Sequence, residues 1–256
     1  MAKAMDESIS GRTGRNSRPA PGHLTIAAAE AQGARPSMED RHRIRLTGDG
    51  AWGAIFDGHG GAGVAALAAA EAGRLLPDVS PGEALRRLAR LTAGESAGAC
   101  AVAFRLRGDL LEVANLGDCE LAVVRPNGVE VLSRVHRLSD AIERQRVLAA
   151  GAVVRGPYVT DPRTGDGVMP TRVLGDRQFH RLGVSSVPDE RSSGFAEGWL
   201  IAACDGLWDV MAAAELPALL AGSPEETAQA LVHLALVERR SGDNVTVIAL
   251  HKEPPG

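Results

Sequence analysis

The sequence predicts an α+β layered domain, and three features point to it. Strand-like apolar runs come in bunches, helical segments come in pairs, and short polar turns join successive strands. A βαβ alternation, with one helix for each strand, does not fit that spacing. At 256 residues the chain can bury one large core, and one domain is the simplest division.

Residues 1–22 are polar, with Gly, Ser, Arg and Pro scattered among them, and read as a disordered extension before a folded domain over 23–252. Segments 24–29, 41–46 and 51–56 then read as strands. An Ala- and Leu-rich helix over 62–76 follows, and a shorter one over 83–91 comes after Pro77 and the Ser80-Pro81-Gly82 break. Three more strands occupy 99–104, 110–115 and 119–125. The turns between them, Arg107-Gly108-Asp109 and Leu116-Gly117-Asp118, are short enough for antiparallel hairpins, and Pro126-Asn127-Gly128 makes another turn.

A helix over 139–150 takes Ser139 as its N-cap and Gly151 as its stop. Residues 156–167, rich in Pro, Asp, Thr and Gly, predict a mobile surface loop. An apolar strand over 199–204 ends at Asp205-Gly206. Ser223-Pro224-Glu225-Glu226 is a capping box with proline in the first turn, and it starts a helix running to about residue 237. A last strand, 245–250, follows Ser241-Gly242-Asp243-Asn244.

The apolar share of 45% and a mean hydropathy near zero fit a soluble globular protein. Aromatic residues make up only 3%, so Ala, Val and Leu must fill most of the interior. A formal charge of -4, without any basic cluster, argues against nucleic acid as a partner. Cys100, Cys119 and Cys204 each lie in an apolar run, at a spacing that matches no disulfide framework or zinc motif. Buried reduced thiols suit a cytoplasmic setting. No stretch is long enough to span a bilayer and the N-terminus lacks a signal-peptide core, so no membrane partner is expected.

Chemistry concentrates where apolar strands meet aspartates. Ala54-Ile55-Phe56-Asp57-Gly58-His59-Gly60-Gly61 runs from a strand into a tight turn before a helix. Asp57 can ligate a hard divalent cation, the glycines allow close backbone approach, and His59 can donate a proton near neutral pH. Alone, such an octet is often only a turn. The pattern repeats at Cys204-Asp205-Gly206 and Gly242-Asp243-Asn244, and antiparallel pairing brings one strand's end beside another's start. Convergence of the three carboxylates at one sheet edge would call for Mg²⁺ or Mn²⁺ to offset their repulsion. Arg35-Pro36-Ser37-Met38-Glu39-Asp40 adds a cation and two further carboxylates.

Six motifs, in this order, resemble those of the metal-dependent type 2C Ser/Thr protein phosphatases. They are Arg35…Met38-Glu39-Asp40, Phe56-Asp57-Gly58-His59-Gly60-Gly61, Asn115-Leu116-Gly117-Asp118, Thr171-Arg172-Val173-Leu174-Gly175-Asp176, Ala203-Cys204-Asp205-Gly206-Leu207-Trp208-Asp209 and Gly242-Asp243-Asn244-Val245-Thr246. The resemblance spans about residues 24–250. It implies a central antiparallel β-sandwich flanked by helices in α-β-β-α layers, with two Mn²⁺ or Mg²⁺ ions at one end. On that resemblance Asp57 bridges the ions, the Gly58 carbonyl, Asp205 and Asp243 complete the ligation, and Glu39 and Asp40 hold metal-bound waters. Arg35 grips phosphate, His59 is the general acid, and a hydroxide bridging the metals attacks phosphorus. The implied partners are phosphoprotein substrates, among them targets of Ser/Thr kinases, and the expected state is a monomer.

The remaining residues read more plainly. Asp118 sits in a hairpin turn and is taken as structural; Arg172 and Asp176 are expected to pair with each other and steady a loop. His23, His42, His180, His233 and His251 have no ligand-like spacing, and Trp208 reads as core. Asp209 is either a helix-start carboxylate or a ligand for a further, weaker cation. The family often helps bind that cation through an acid before a His-Lys pair. Here Val135 precedes His136-Arg137 and offers no ligating atom. The helical region between residues 76 and 99 also looks short for the family.

A cysteine phosphatase needs a glycine-rich loop between Cys119 and Arg125, whereas Glu120-Leu121-Ala122-Val123-Val124 reads as strand. An Asp-x-His metallophosphoesterase would need an Asn-His-acid segment that the chain lacks. The serious alternative to an enzyme is a catalytically weak relative that serves as a binding or regulatory module.

Overall fold

The computed structural model describes residues 23–220 and 222–254, so the extension expected over 1–22 lies outside the described residues. The chain opens with three strands, β1 (Leu24–Ala31), β2 (Arg41–Thr47) and β3 (Gly50–His59), then two helices, α1 (Gly63–Leu75) and α2 (Pro81–Thr92). Four strands follow: β4 (Gly98–Arg107), β5 (Leu110–Leu116), β6 (Glu120–Arg125) and β7 (Gly128–Val131). Next come α3 (Ala141–Ala149) and the short strands β8 (Val153–Arg155), β9 (Tyr158–Thr160), β10 (Gly167–Val168) and β11 (Leu174–Gly175). After α4 (Arg177–His180), β12 (Asp189–Gly194) and β13 (Gly198–Ala203), the chain ends with α5 (Asp205–Trp208), α6 (Leu216–Leu219), α7 (Pro224–His233) and β14 (Val245–Lys252).

Two antiparallel sheets form the centre. One has the order β1-β14-β13-β6-β7, the other β12-β5-β4-β3-β2 with β11 paired to β4. Period-two alternation assigns each side chain to a layer. On β4, Cys100, Val102, Phe104 and Leu106 join the core between the sheets, with Leu200, Ala202, Ile248 and Leu250 from the facing sheet. Their neighbours Ala99, Ala101 and Ala103 turn the other way, against Ala65, Ala68, Ala69 and Ala72 of α1 and Leu85 and Leu88 of α2. Small residues on both surfaces let this helix layer lie close to the sheet. On the opposite side, Ile201, Ala203, Val247 and Ala249 pack against Ala228 and Leu231 of α7. The result is the α-β-β-α sandwich.

Helix ends follow local chemistry. Ser80 Oγ accepts from Glu83 N at 3.3 Å with Pro81 in the first turn, so α2 begins earlier than residue 83. The capping box on α7 forms as read: Ser223 Oγ accepts from Glu226 N at 3.2 Å, and Glu226 Oε2 accepts from Ser223 N at 2.8 Å. That helix continues into a π turn, Leu234–Glu238.

Four expectations need correction. Leu116-Gly117-Asp118 is no hairpin turn, because β5 and β6 belong to different sheets and the chain crosses from one to the other there. The N-cap of α3 is Asp140, not Ser139, because its Oδ1 accepts from Ile142 N and Glu143 N at 2.9 and 3.3 Å. Residues 156–167 are not simply loop, since β8, β9 and β10 pair into a small antiparallel sheet. Finally, the polar strand β12 pairs with β5 along its whole length, where no strand was expected.

Candidate active site

Register decides where the carboxylates meet. Ala203 of β13 lies opposite Val247 of β14, so Asp205 just beyond one strand and Asp243 just before the other share one end of that sheet. Asp57 comes from the facing sheet, near the end of β3, on the same alternation as inward-facing Ala51 and Ile55. The acids therefore converge at one end of the sandwich, from both sheets, rather than at one sheet edge.

The Asp-Gly pairs have a packing reason. A Cβ on Gly58 would lie 2.6 Å from the Glu39 carbonyl oxygen, and one on Gly206 would lie 2.0 Å from that of Asn244. Each glycine lets the neighbouring segment, itself carrying site residues, press against the strand end. Asn244 adds hydrogen bonds: its Nδ2 donates to the Gln32 and Ser37 carbonyls at 2.7 and 3.0 Å, and its Oδ1 accepts from Glu39 N at 2.8 Å. The segment bearing Arg35, Glu39 and Asp40 is thereby fixed to the turn bearing Asp243.

These residues border a cavity of about 370 Å³, lined among others by Arg35, Glu39, Asp57, Gly58, His59, Asp118, Asp205 and Asp243. Oxygens of Asp57, Asp118 and Asp205 lie within 4.8 Å of one another. Asp40, almost fully buried, forms a similar group with Asp57 and Cys204 and accepts from Thr246 Oγ1 at 2.7 Å. Burial, then the charges of Asp205, Asp40, Asp118 and Asp243, push the Asp57 carboxyl well above its ordinary range. Burial and the neighbouring Asp118, Asp209 and Asp243 raise Asp205 to about 7, against the opposing pull of Arg137.

Two guanidinium groups flank this negative centre. Arg35 Nη2 donates to Asp243 Oδ2 at 2.5 Å from the open side. Arg137 donates from Nε to Asp118 Oδ2 at 2.7 Å, from Nη2 to Asp205 Oδ2 at 2.9 Å, and from Nη1 to Asp209 Oδ1 at 2.7 Å. His59 lies on the far side, with Nε2 2.7 Å from Oδ2 of the buried Asp176.

A protein-family model described as Protein phosphatase 2C matches residues 24–245. The chain belongs to the protein phosphatase 2C family. The Probable protein phosphatase 2C 67 of Oryza sativa subsp. japonica is 30% identical over 292 residues, covering 92% of this chain and 78% of that protein. Among solved structures, the serine-threonine phosphatase 2C from Toxoplasma gondii superposes with a TM-score of 0.72 at 24% identity, over 92% of this chain and 98% of that one. The catalytic domain of the serine threonine protein phosphatase PstP, in complex with 2 manganese ions, gives a TM-score of 0.65 at 21% identity, over 89% and 97% of the two chains. Both likenesses show the shared fold.

In this protein phosphatase 2C domain every site residue expected from sequence lies in or directly beneath one cavity: Arg35, Glu39, Asp57, Gly58, His59, Asp205 and Asp243 on its wall, Asp40 behind it. Two readings change. Asp118 is no mere turn residue, since only 4% of it is exposed and its carboxylate stands within the cluster. Arg172 and Asp176 do not pair: Arg172 Nη2 donates to Glu143 Oε1 at 2.7 Å, whereas Asp176 holds His59.

Arg137 and Asn244 lie in segments quoted above but were given no role in the site, and Glu143 was missed altogether. A signal existed for Asp118, because Leu116-Gly117-Asp118 ends an apolar strand as the other site turns do. None existed for Glu143, which acts from the first turn of α3. Cys100, Cys119 and Cys204 are free and buried, as expected.

Proposed function

We propose that the chain hydrolyses phosphoserine and phosphothreonine in proteins, with Mn²⁺ or Mg²⁺ held by the carboxylate cluster. The observation that carries the reading is the convergence of Asp57, Asp118 and Asp205 from two sheets, with the Asp57 and Asp205 carboxyls raised by burial and mutual repulsion. Such a cluster is costly without cations, and an all-oxygen donor set suits hard divalent ions. The manganese ions of the PstP catalytic domain support the same reading. Asp57, Asp205 and Asp243 would hold the ions, with the Gly58 carbonyl beside them and Glu39 and Asp40 orienting water. Bound there, the ions supply charge neutralisation and a water acidic enough to act as nucleophile near neutral pH.

The rest falls to the protein's own groups. Arg35, at the open rim, offers a planar fork that suits two phosphate oxygens. An alkoxide leaving group needs a proton, and His59 provides it as the bond from phosphorus to the Ser or Thr oxygen breaks. Asp176 engages Nε2 and orients the ring, which leaves Nδ1 to pass that proton.

The test is turnover of a phosphothreonine peptide across Mn²⁺ and Mg²⁺ titrations, with EDTA as blank and Asp205→Asn beside wild type. Metal-dependent turnover that the substitution abolishes is the expected result. Turnover in EDTA would overturn the metal assignment, and a folded wild type inert at millimolar metal would favour a binding module instead.

A further inference from the structure

We propose that Arg137 is a resident cation of the carboxylate cluster. It occupies Asp118, Asp205 and Asp209 so that the cluster accepts two divalent ions and no third. The inference rests on the reading of the cluster as a divalent-ion site.

The geometry is that of a built contact. The guanidinium makes four hydrogen bonds to three carboxylates: the three given above and a fourth from Nη2 to Asp209 Oδ2 at 3.2 Å. All three of its nitrogens are engaged, and Asp209 is gripped at both oxygens. A divalent ion placed among the same acids would need those lone pairs, and Mg²⁺ or Mn²⁺ tolerates little departure from octahedral geometry.

The arginine is also held in position. His136, fully buried next to it, donates from its backbone N to the Gly117 carbonyl at 2.9 Å. Its Nδ1 accepts from Gly117 N at 3.1 Å and its Nε2 faces Asp189 Oδ2 at 3.1 Å. The His136 carbonyl in turn accepts from Thr171 N at 2.8 Å. Arg137 thus projects from an anchored backbone into the outer acids, and its side chain is only 22% exposed.

The two arginines divide the cluster. Arg35 takes Asp243 and Arg137 takes Asp118, Asp205 and Asp209, while among the described residues Asp57, Asp40 and Glu39 have no guanidinium partner. Arg137 engages only Oδ2 of Asp205 and Arg35 only Oδ2 of Asp243, so Asp57, Asp205 and Asp243 keep oxygens for two divalent ions, while Asp118 and Asp209 carry a charge the sequence supplies. A guanidinium stays protonated at any pH the fold survives, so this occupancy does not depend on metal supply.

The experiment counts bound ions by calorimetric Mn²⁺ titration of wild type, Arg137→Ala and Arg137→Met, the last keeping an apolar stem in place. Two equivalents for wild type and three for both variants are expected. Melting in EDTA gives a second readout: the variants melt below wild type and gain more on adding Mn²⁺. Three equivalents bound by wild type would overturn the inference without any variant. So would two equivalents throughout with equal Mn²⁺-induced melting gains. No uptake in any form would remove the divalent-ion reading and the inference with it; uptake by the variants alone would keep that reading and overturn the inference of two ions in wild type. Variants that fold only with Mn²⁺ present support the inference, since the ion then replaces the missing charge.

Discussion

Asp57 and Asp176 are both enclosed aspartates, yet their surroundings set them to opposite tasks. Asp57 faces four other carboxylates and is driven toward its neutral form unless cations arrive. Asp176 faces a histidine, and its own backbone takes the left-handed conformation at φ 53°, uncommon for any residue but glycine. Its N donates to the Ala97 carbonyl at 3.0 Å, and Gln178 Nε2 donates to its second oxygen at 3.2 Å, so the strained turn is held on both sides. A carboxylate fixed this way orients the imidazole. Asp176→Asn keeps the shape and removes the charge. It should lower kcat on phosphothreonine peptide by up to about 10²-fold, within the usual span of acid–base effects, and leave p-nitrophenyl phosphate, with its better leaving group, nearly unchanged. Combining it with His59→Ala should add no further loss, because the two act as one unit. Equal losses on both substrates, or additive losses in the double variant, would show that Asp176 has only a structural role.

At the scale of elements, α3 supports the site without touching it. Glu143, fully buried, accepts from Arg146 Nη2 at 2.6 Å, Thr171 Oγ1 at 2.6 Å and Arg172 Nη2 at 2.7 Å. This anchors the segment that leads to Asp176. Despite burial, hydrogen bonds from Arg172, Arg146 and Thr171 lower its carboxyl from 4.5 to about 2. A carboxyl depressed on folding contributes stability that is complete above its unfolded value of 4.5 and is lost as pH falls toward 2. Glu143→Gln should therefore cost up to about 3 kcal/mol at pH 7, and the gap from wild type should close as urea melts are repeated down from pH 5 to pH 3. A gap that stays constant over that range would mean the charge is not what stabilises.

Sequence could not reveal this support. Glu143 looks like any first-turn acid of a helix paired to Arg146 one turn on, and its other partners, Thr171 and Arg172, lie 28 and 29 residues away. Strand β12 was hidden for another reason: Asp-Glu-Arg-Ser-Ser-Gly has no apolar alternation, and only backbone pairing to β5 makes it an edge strand. By contrast β4, β13 and β14 were legible, because apolar runs buried on both faces leave few other readings.

For the whole molecule, the sandwich is assembled by hydrophobic alternation along its length and opposed by like charges at one end. The motifs disclosed which acids gather there, but not that Asp57 belongs to one sheet and Asp205 and Asp243 to the other. That assignment depends on long-range pairing, such as Asp57 opposite Cys100 and Ala203 opposite Val247. It carries a thermodynamic consequence. Without divalent ions the two sheets are pressed together across a carboxylate cluster, so the site weakens the fold that builds it, as functional sites commonly do. Because folding raises the Asp57 carboxyl above 3.8, the folded form loses stability as pH rises through that raised value, and the penalty is largest under alkaline conditions. Asp57→Asn removes the charge with little change of shape. In EDTA at pH 8 it should melt a few degrees above wild type, at roughly 2–4 °C per kcal/mol for a domain of this size. Adding Mn²⁺ should reverse the order, since wild type gains from the ions and the variant does not. A variant that melts below wild type in EDTA would mean that the Asp57 charge is already compensated within the protein.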